Sequence, residues 1–271
     1  MRKAQKPLPR EHGAWGLLLQ PFVAAAVLAR QWDWLLVPAL LLVLLGFVVR
    51  EPLIILGRYQ WAGHLWSETT LLARNWLVAE VAAIALCFAA LCLYLPLAPL
   101  GILAGTALLL TLVSVWMTIK NHQRSVWLQL AAVGGLGSSV FLAALSTLRA
   151  IPGWAWWLWA LLTVHGMVGV LCVHARLRLR SASKRQVTGN PLRVPLAALL
   201  VQAFLVIPTV IWASRGLAAV LLCSVLLHAM EIVRLTKAGE IHQSLSHTGI
   251  RMLVQSLSFT VLVMVGLWNL Y

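Results

Sequence analysis

The sequence predicts an all-α integral membrane protein: nine transmembrane helices in a single polytopic domain over residues 1–271, with the N-terminus cytoplasmic and the C-terminus outside. Three observations predict it. Hydrophobic residues fill 61% of the 271 positions and charged residues only 10%, whereas a soluble globule carries about 25% charged residues. The apolar residues fall in runs near the length of about 20 that a helix needs to cross a bilayer core. Lipid offers the backbone no hydrogen-bond partners, so such runs must satisfy themselves as helices. Third, the cations alternate. Of the 21 Lys and Arg, only Arg30, Arg149 and Arg215 fall in connectors that this topology places outside. All others fall in cytoplasmic segments, as the positive-inside rule requires. A soluble enzyme, a nucleic-acid-binding domain and a disordered regulator are excluded as main readings. The net charge of +14 then reports orientation rather than a nucleic-acid partner.

The elements follow in order. A basic cytoplasmic segment, 1–13, carries Arg2, Lys3, Lys6 and Arg10 and leads into a first span at 14–29. The second span, 34–49, follows an outside loop flanked by Trp32 and Trp34, whose amphipathic rings suit the headgroup boundary. A long cytoplasmic connector is expected at 50–75, then spans at 76–95, 99–119 and 126–148. The sixth span, 154–173, opens on Trp154, Trp156, Trp157 and Trp159, a second aromatic belt. A basic connector at 174–193 precedes spans at 194–213 and 216–233. A last connector, 234–251, leads to 252–270. Pro21, Pro38 and Pro208 lie inside spans and should bend them. The cysteines (Cys87, Cys92, Cys172, Cys223) lie in apolar stretches and read as small core residues. Gly101 and Gly105 form a GxxxG packing face, a weak signal in an apolar helix.

Long connectors are where chemistry concentrates, so a site should open to the cytoplasm. The run Pro9-Arg10-Glu11-His12-Gly13-Ala14-Trp15 sets three ionisable groups just before the first span. Glu11 suits the positive end of a helix dipole, and His12 and Trp15 share a face. The connector after the second span holds Arg50, Glu51, Arg58, His64 and Glu68. The connector after the sixth reads His174-Ala175-Arg176-Leu177-Arg178-Leu179-Arg180 and contains no acid. On a helix Arg176 and Arg180 stand one turn apart, as do His174 and Arg178. Such a cluster either anchors the chain beside an anionic leaflet or binds a phosphate or carboxylate through charge-assisted hydrogen bonds. His228, Glu231 and Arg234 share one face at the end of the eighth span, where an ion pair is a better reading than half of a metal motif. Glu80 should pair with Arg74 or face a cavity. His165, in the middle of the sixth span, should be neutral and hydrogen-bonded between helices. No P-loop, HExxH or GxSxG motif occurs.

The run Pro-Arg-Glu-His-Gly-Ala-Trp at 9–15 resembles the N-terminal signature of the YwiC-like family of bacterial membrane proteins, and Arg50-Glu51-Pro52 is similar to a second stretch of that family. The resemblance implies a multi-pass protein of the bacterial cytoplasmic (inner) membrane. More distantly, nine helices with long cytoplasmic loops after the second and sixth resemble the UbiA-type intramembrane prenyltransferases. Ile119-Lys120-Asn121-His122-Gln123-Arg124, leading to Gly134, Gly135 and Gly137, is similar to the approach to their fifth helix. Those enzymes hold Mg²⁺ and a prenyl diphosphate with Asp-rich motifs in the two loops. This sequence departs from them, because its only aspartate is Asp33, on the side assigned outside. Mg²⁺ wants carboxylate and water oxygens, so no metal and no cofactor are expected.

The expectation for function is therefore a UbiA-like bundle with a cytoplasm-facing basic cavity for an anionic or isoprenoid amphiphile, either an enzyme or a transporter or non-catalytic lipid-binding factor. Arg10, Arg50, Arg58, His174, Arg176 and Arg180 are the candidate head-group ligands, and Glu11, His12 and Glu51 the candidate acid–base groups. The expected partners are membrane lipids and that amphiphile, without nucleic acid. The sequence leaves the oligomeric state open.

Overall fold

The structure is a computed structural model that describes residues 12–62, 68–122, 125–182, 191–237, 245–268 and 270; the side chains of His12, Gly13, Ala62, Ala182, Leu245 and Ser246 are also outside the description. The described residues are overwhelmingly helical. In chain order the helices are α1 His12–Leu28, α2 Leu36–Val48, α3 Arg50–Ala62, α4 Glu68–Cys92, α5 Leu97–Ile119, α6 Val126–Gly137, α7 Ser139–Leu148, α8 Gly153–Ala182, α9 Arg193–Phe204, α10 Val206–Trp212, α11 Arg215–Leu235 and α12 Leu245–Trp268. Three pairs run nearly end to end. Eight stretches are thus long and apolar enough to cross a membrane, and Ala14–Leu28 is a shorter ninth. These are the nine expected spans, so the chain is an all-α multi-pass membrane protein.

The breaks within the paired stretches have local causes. A proline lacks its N–H, and its ring presses on the carbonyl four residues earlier. Pro52 lies four residues after Val48, where α2 ends, and Pro208 lies four after Phe204, where α9 ends. Between α6 and α7, Ser138 Oγ donates to the Gly135 carbonyl at 2.6 Å, and Gly134, Gly135 and Gly137 add freedom to bend. Pro21 sits inside an uninterrupted α1, and Pro38 falls in the first turn of α2, where the missing N–H costs nothing.

Where they are described, two expected connectors are largely helical instead. Residues 50–62 form α3, and α8 carries on through His174 and the arginines to Ala182. Hydropathy alone ends a span at its first charges, but the backbone does not stop there. The 30 residues of α8 make about 45 Å of helix, longer than the roughly 30 Å bilayer core. Its arginine-bearing turns therefore reach the membrane boundary.

The chain divides into two compact units, residues 1–155 and 156–271. In the first, α1 packs along α7, α2 and α3 along α4, and α5 along α3 and α6. Ser139 Oγ donates to the Leu18 carbonyl at 2.9 Å, pinning α7 to α1. The ends of this unit are tied separately. At one, Asp33 and Arg149 form an ion pair at 2.6 Å, and Trp34 meets Tyr94 edge-on at 5.1 Å. At the other, Lys120 Nζ sits 3.4 Å above the Trp61 ring, and an Arg58 Nη donates to the Thr118 carbonyl at 3.1 Å. Connectors after the first, third and fifth spans thus gather at one end, and those after the second and fourth at the other, as alternating crossings require.

In the second unit the buried positions of α11 include Leu217, Leu221, Ser224, His228, Glu231 and Leu235. Steps of three and four keep them on one face. The buried face of α8 follows the same rule through Leu158, Leu161, His165, Cys172 and Arg176, and that of α12 through Thr248, Phe259, Val263 and Leu267. His165 meets Ser224 and Arg176 meets Glu231, so α8 and α11 run parallel. Phe259 stacks on His165 and Thr248 meets Arg176, so α12 runs antiparallel to both. The shared seam is apolar at the Leu217 end, polar in its middle, and charged where α8 and α11 end and α12 begins.

Candidate polar and charged site in the second unit

The charged end is built on one carboxylate. Arg251 Nη2 donates to Glu231 Oε1 at 2.6 Å, Arg176 Nη2 approaches the same oxygen at 3.5 Å, and Arg234 Nη1 stands 3.5 Å from Oε2. Arg176 also donates to Thr248 Oγ1 at 2.6 Å. Arg176 and Glu231 are 1% and 2% exposed, whereas the Arg234 side chain is 38% exposed. Among the described residues the cluster therefore grades from a buried interior pair to an outer guanidinium held by a long contact. Unpaired, the inner charges would be costly; paired and hydrogen-bonded, they are tolerable in a helical bundle.

The polar middle lies one turn away on α11. His165 Nδ1 and Ser224 Oγ are 2.6 Å apart, Gln202 Nε2 donates to Ser224 Oγ at 2.6 Å, and His228 Nδ1 lies 3.1 Å from Gln202 Oε1. With the Gln202 amide donating to Ser224, the Gln202 oxygen accepts from His228 Nδ1. The bond between Ser224 and His165 Nδ1 suits either ring tautomer of His165, since the hydroxyl both donates and accepts. The two rings stand 4.5 Å apart, and Phe259 stacks on the other face of His165 at 4.3 Å.

The residues singled out from sequence are distributed as follows. Arg176 is in the charged cluster. Of its neighbours on α8, His174 is half-buried, Arg178 is exposed and Arg180 is intermediate. In the first unit, Arg50 and Glu51 form a 3.5 Å ion pair at the start of α3. Arg50 also lies 5.7 Å from the Phe47 ring, which Trp15 of α1 meets edge-on at 4.9 Å. The first turns of α1 thus flank the α2–α3 junction. Arg10 and Glu11 lie outside the described residues, as does the side chain of His12. Arg58 is committed to the Thr118 carbonyl. His165 is hydrogen-bonded between helices as expected, and Glu231 does contact Arg234, with two further arginines added.

Of the two readings expected for Glu80, the pair with Arg74 does not form. The residue lies more than three turns into α4. It is 4% exposed on the seam that faces α2 and α3, and both carboxyl oxygens are buried with no hydrogen-bond partner. Among the described residues no group of three or more His, Cys, Asp or Glu is placed to hold a metal ion. Sequence reasoning missed Ser224, Gln202, Thr248 and Arg251 as partners. For Ser224 and Gln202 the advance signal was polarity inside an apolar run, with the spacing of four from His228 added at Ser224, whereas Thr248 and Arg251 stood in the expected connector 234–251.

No curated protein and no solved structure matches the chain. The family model for YwiC-like proteins matches residues 8–144, about half of the chain and nearly all of the first unit. On that match the chain is a member of the YwiC-like family.

Proposed function

We propose that this multi-pass membrane protein binds an anionic amphiphile, with its head group at the arginine end of the second unit and its apolar tail against the lipid-facing helices. The observation that carries the reading is the outer guanidinium of the cluster. Arg234 is 38% exposed and touches Glu231 only at 3.5 Å, so a phosphate or carboxylate oxygen can take it at little cost. Arg178, exposed at the same end of α8, adds a second cation. Each charge-assisted bond to such a head group is worth about 1.5–3 kcal/mol. The charge asymmetry of the connectors supports a cytoplasmic position for this end. An isoprenoid tail, in a bundle akin to the UbiA type but without Mg²⁺, is the finer form of the same reading. The Arg50–Glu51 pair, preceded in the chain by Arg10, Glu11 and His12, is the corresponding basic lip of the first unit.

Between catalysis and binding, the cluster favours a non-catalytic lipid-binding or transport role. Glu231 stands within ion-pair distance of three guanidiniums and reads as their shared counter-charge. The test is lipid extraction and mass spectrometry of the purified protein beside Arg178→Ala, Arg234→Ala and the double variant. Severalfold loss of co-purifying anionic lipid in the double variant is expected. Unchanged retention overturns the reading.

A further inference from the structure

Where α3 and α5 finish, the first unit holds a lysine between two tryptophans, and local structure explains its placement. α5 closes on a left-handed residue, Asn121, at φ 62°. The His122 N–H reaches back to the Met117 carbonyl at 2.8 Å and the Asn121 N–H to the Thr118 carbonyl at 3.1 Å. These two bonds cap the helix and fix the backbone of Lys120. Arg58 donates to the same Thr118 carbonyl at 3.1 Å, tying α3 to the cap. Gly57, with no side chain, lets Ile119 lie against the α3 backbone. Trp61, three residues after Arg58 and on the same face of α3, then reaches the lysine. Lys120 Nζ stands 3.4 Å from the centre of the Trp61 ring and 5.1 Å from that of Trp116. The two indoles meet edge-on at 6.2 Å.

Among the described residues the Lys120 ammonium makes these two ring contacts and no hydrogen bond or ion pair. A charge over an indole face is oriented by the ring, yet it keeps N–H donors that point away from it. Trp61 and Trp116 are 63% and 55% exposed, as rings at a headgroup boundary are. We infer that this corner binds one acidic glycerophospholipid, whose phosphodiester accepts from Lys120 Nζ with the Arg58 charge beside it. Leu109, Leu112 and Val113 continue the Trp116 face of α5 in steps of three and four and are all exposed. An acyl chain can lie along that apolar track, which selects a lipid over a free phosphate. The two cations select an acidic head group over a zwitterionic one, whose own ammonium they would repel. The C-terminal ends of α3 and α5 bring about half a negative charge each, against a full positive charge on each of Lys120 and Arg58, so the corner still attracts an anion. It shares no residue with the arginine end of the second unit and does not depend on the reading of that end.

The test uses the full chain in mild detergent and native mass spectrometry of bound lipid. Phosphatidylglycerol is the acidic probe, phosphatidylcholine the zwitterionic one and inorganic phosphate the soluble one. The background is Arg178→Ala with Arg234→Ala, which removes the outer cations of the second unit and lets the two sites be read separately. In that background one phosphatidylglycerol should still bind, more tightly than phosphatidylcholine, and millimolar phosphate should not displace it. Lys120→Ala should weaken it about tenfold, the loss of one charge-assisted hydrogen bond. Lys120→Arg should keep most of the affinity, because a guanidinium also sits over indole faces and binds phosphate. Trp61→Leu with Trp116→Leu should weaken binding while the helical circular dichroism stays unchanged. An affinity unchanged in Lys120→Ala or in the indole variant, equal losses in Lys120→Ala and Lys120→Arg, equal binding of the two lipids, or displacement by phosphate overturns the site. Loss of all lipid in the background variant overturns it as well and leaves the arginine end as the binding surface.

Discussion

Replacing Glu231 by alanine takes away the carboxylate on which Arg176, Arg234 and Arg251 converge, and the three contacts are of unequal weight. Arg176 is 1% exposed, so its charge loses a partner where water does not reach. Removing one member of such a buried pair costs about 3–5 kcal/mol. Arg251, at 2.6 Å and 17% exposed, belongs to the same interior set. Arg234 is 38% exposed, so its contact contributes at most about 0.5 kcal/mol after screening. Glu231→Ala should therefore destabilise the fold by about 3–5 kcal/mol and Arg234→Ala by less than about 1 kcal/mol. The paired variant Arg176→Met with Glu231→Leu should recover part of the loss, because it removes the two most buried charges and leaves apolar volume, while Arg251, 17% exposed, keeps its charge. The assay is equilibrium unfolding in mixed micelles followed by the fluorescence of the 14 tryptophans. A Glu231→Ala protein within about 1 kcal/mol of the parent refutes the ranking, and so does a paired variant no better than the single one.

Two further outcomes come from the first unit. Glu80→Leu should leave stability unchanged or raise it by about 1–3 kcal/mol, since it removes a buried carboxyl whose oxygens have no hydrogen-bond partner; a clear loss in the same unfolding assay would mean that the carboxyl is engaged. Gly57→Val should cost about 1–3 kcal/mol by overpacking, because a Cβ there lies 2.3 Å from the Ile119 Cδ1 and 3.3 Å from its Cγ1. Shortening the neighbour, in Gly57→Val with Ile119→Ala, should return part of that stability, and failure to do so would place the strain elsewhere.

What could be read from the chain alone follows from the range of each interaction. The spans were legible because lipid demands continuous apolar runs, and each run became a helix or a broken pair. Their ends were less so. Arg50 and Arg176 look like connector residues to any hydropathy rule, yet both are helical, and Arg176 is buried because Glu231 meets it from 55 residues away. The Glu231–Arg234 contact was visible because one helical turn separates them. The Glu231–Arg251 bond was not, since it needs α11 and α12 to be known neighbours. His165 announced a hydrogen bond but not its partner, Ser224. Glu80 announced a partner or a cavity, and among the described residues no hydrogen-bond partner meets it.

The parallel seam of α8 and α11 bears on how the molecule is made. Ribosomes deliver Arg176 well before the acid that will neutralise it. A newly inserted α8 must meanwhile hold that guanidinium toward water, where a long arginine stem can reach from the last turns of a helix. Arrival of the two final helices then draws the side chain inward against its acceptors. Assembly of this half is thus two-stage, and a chain truncated before α11 would be left with a cation that has nowhere dry to go.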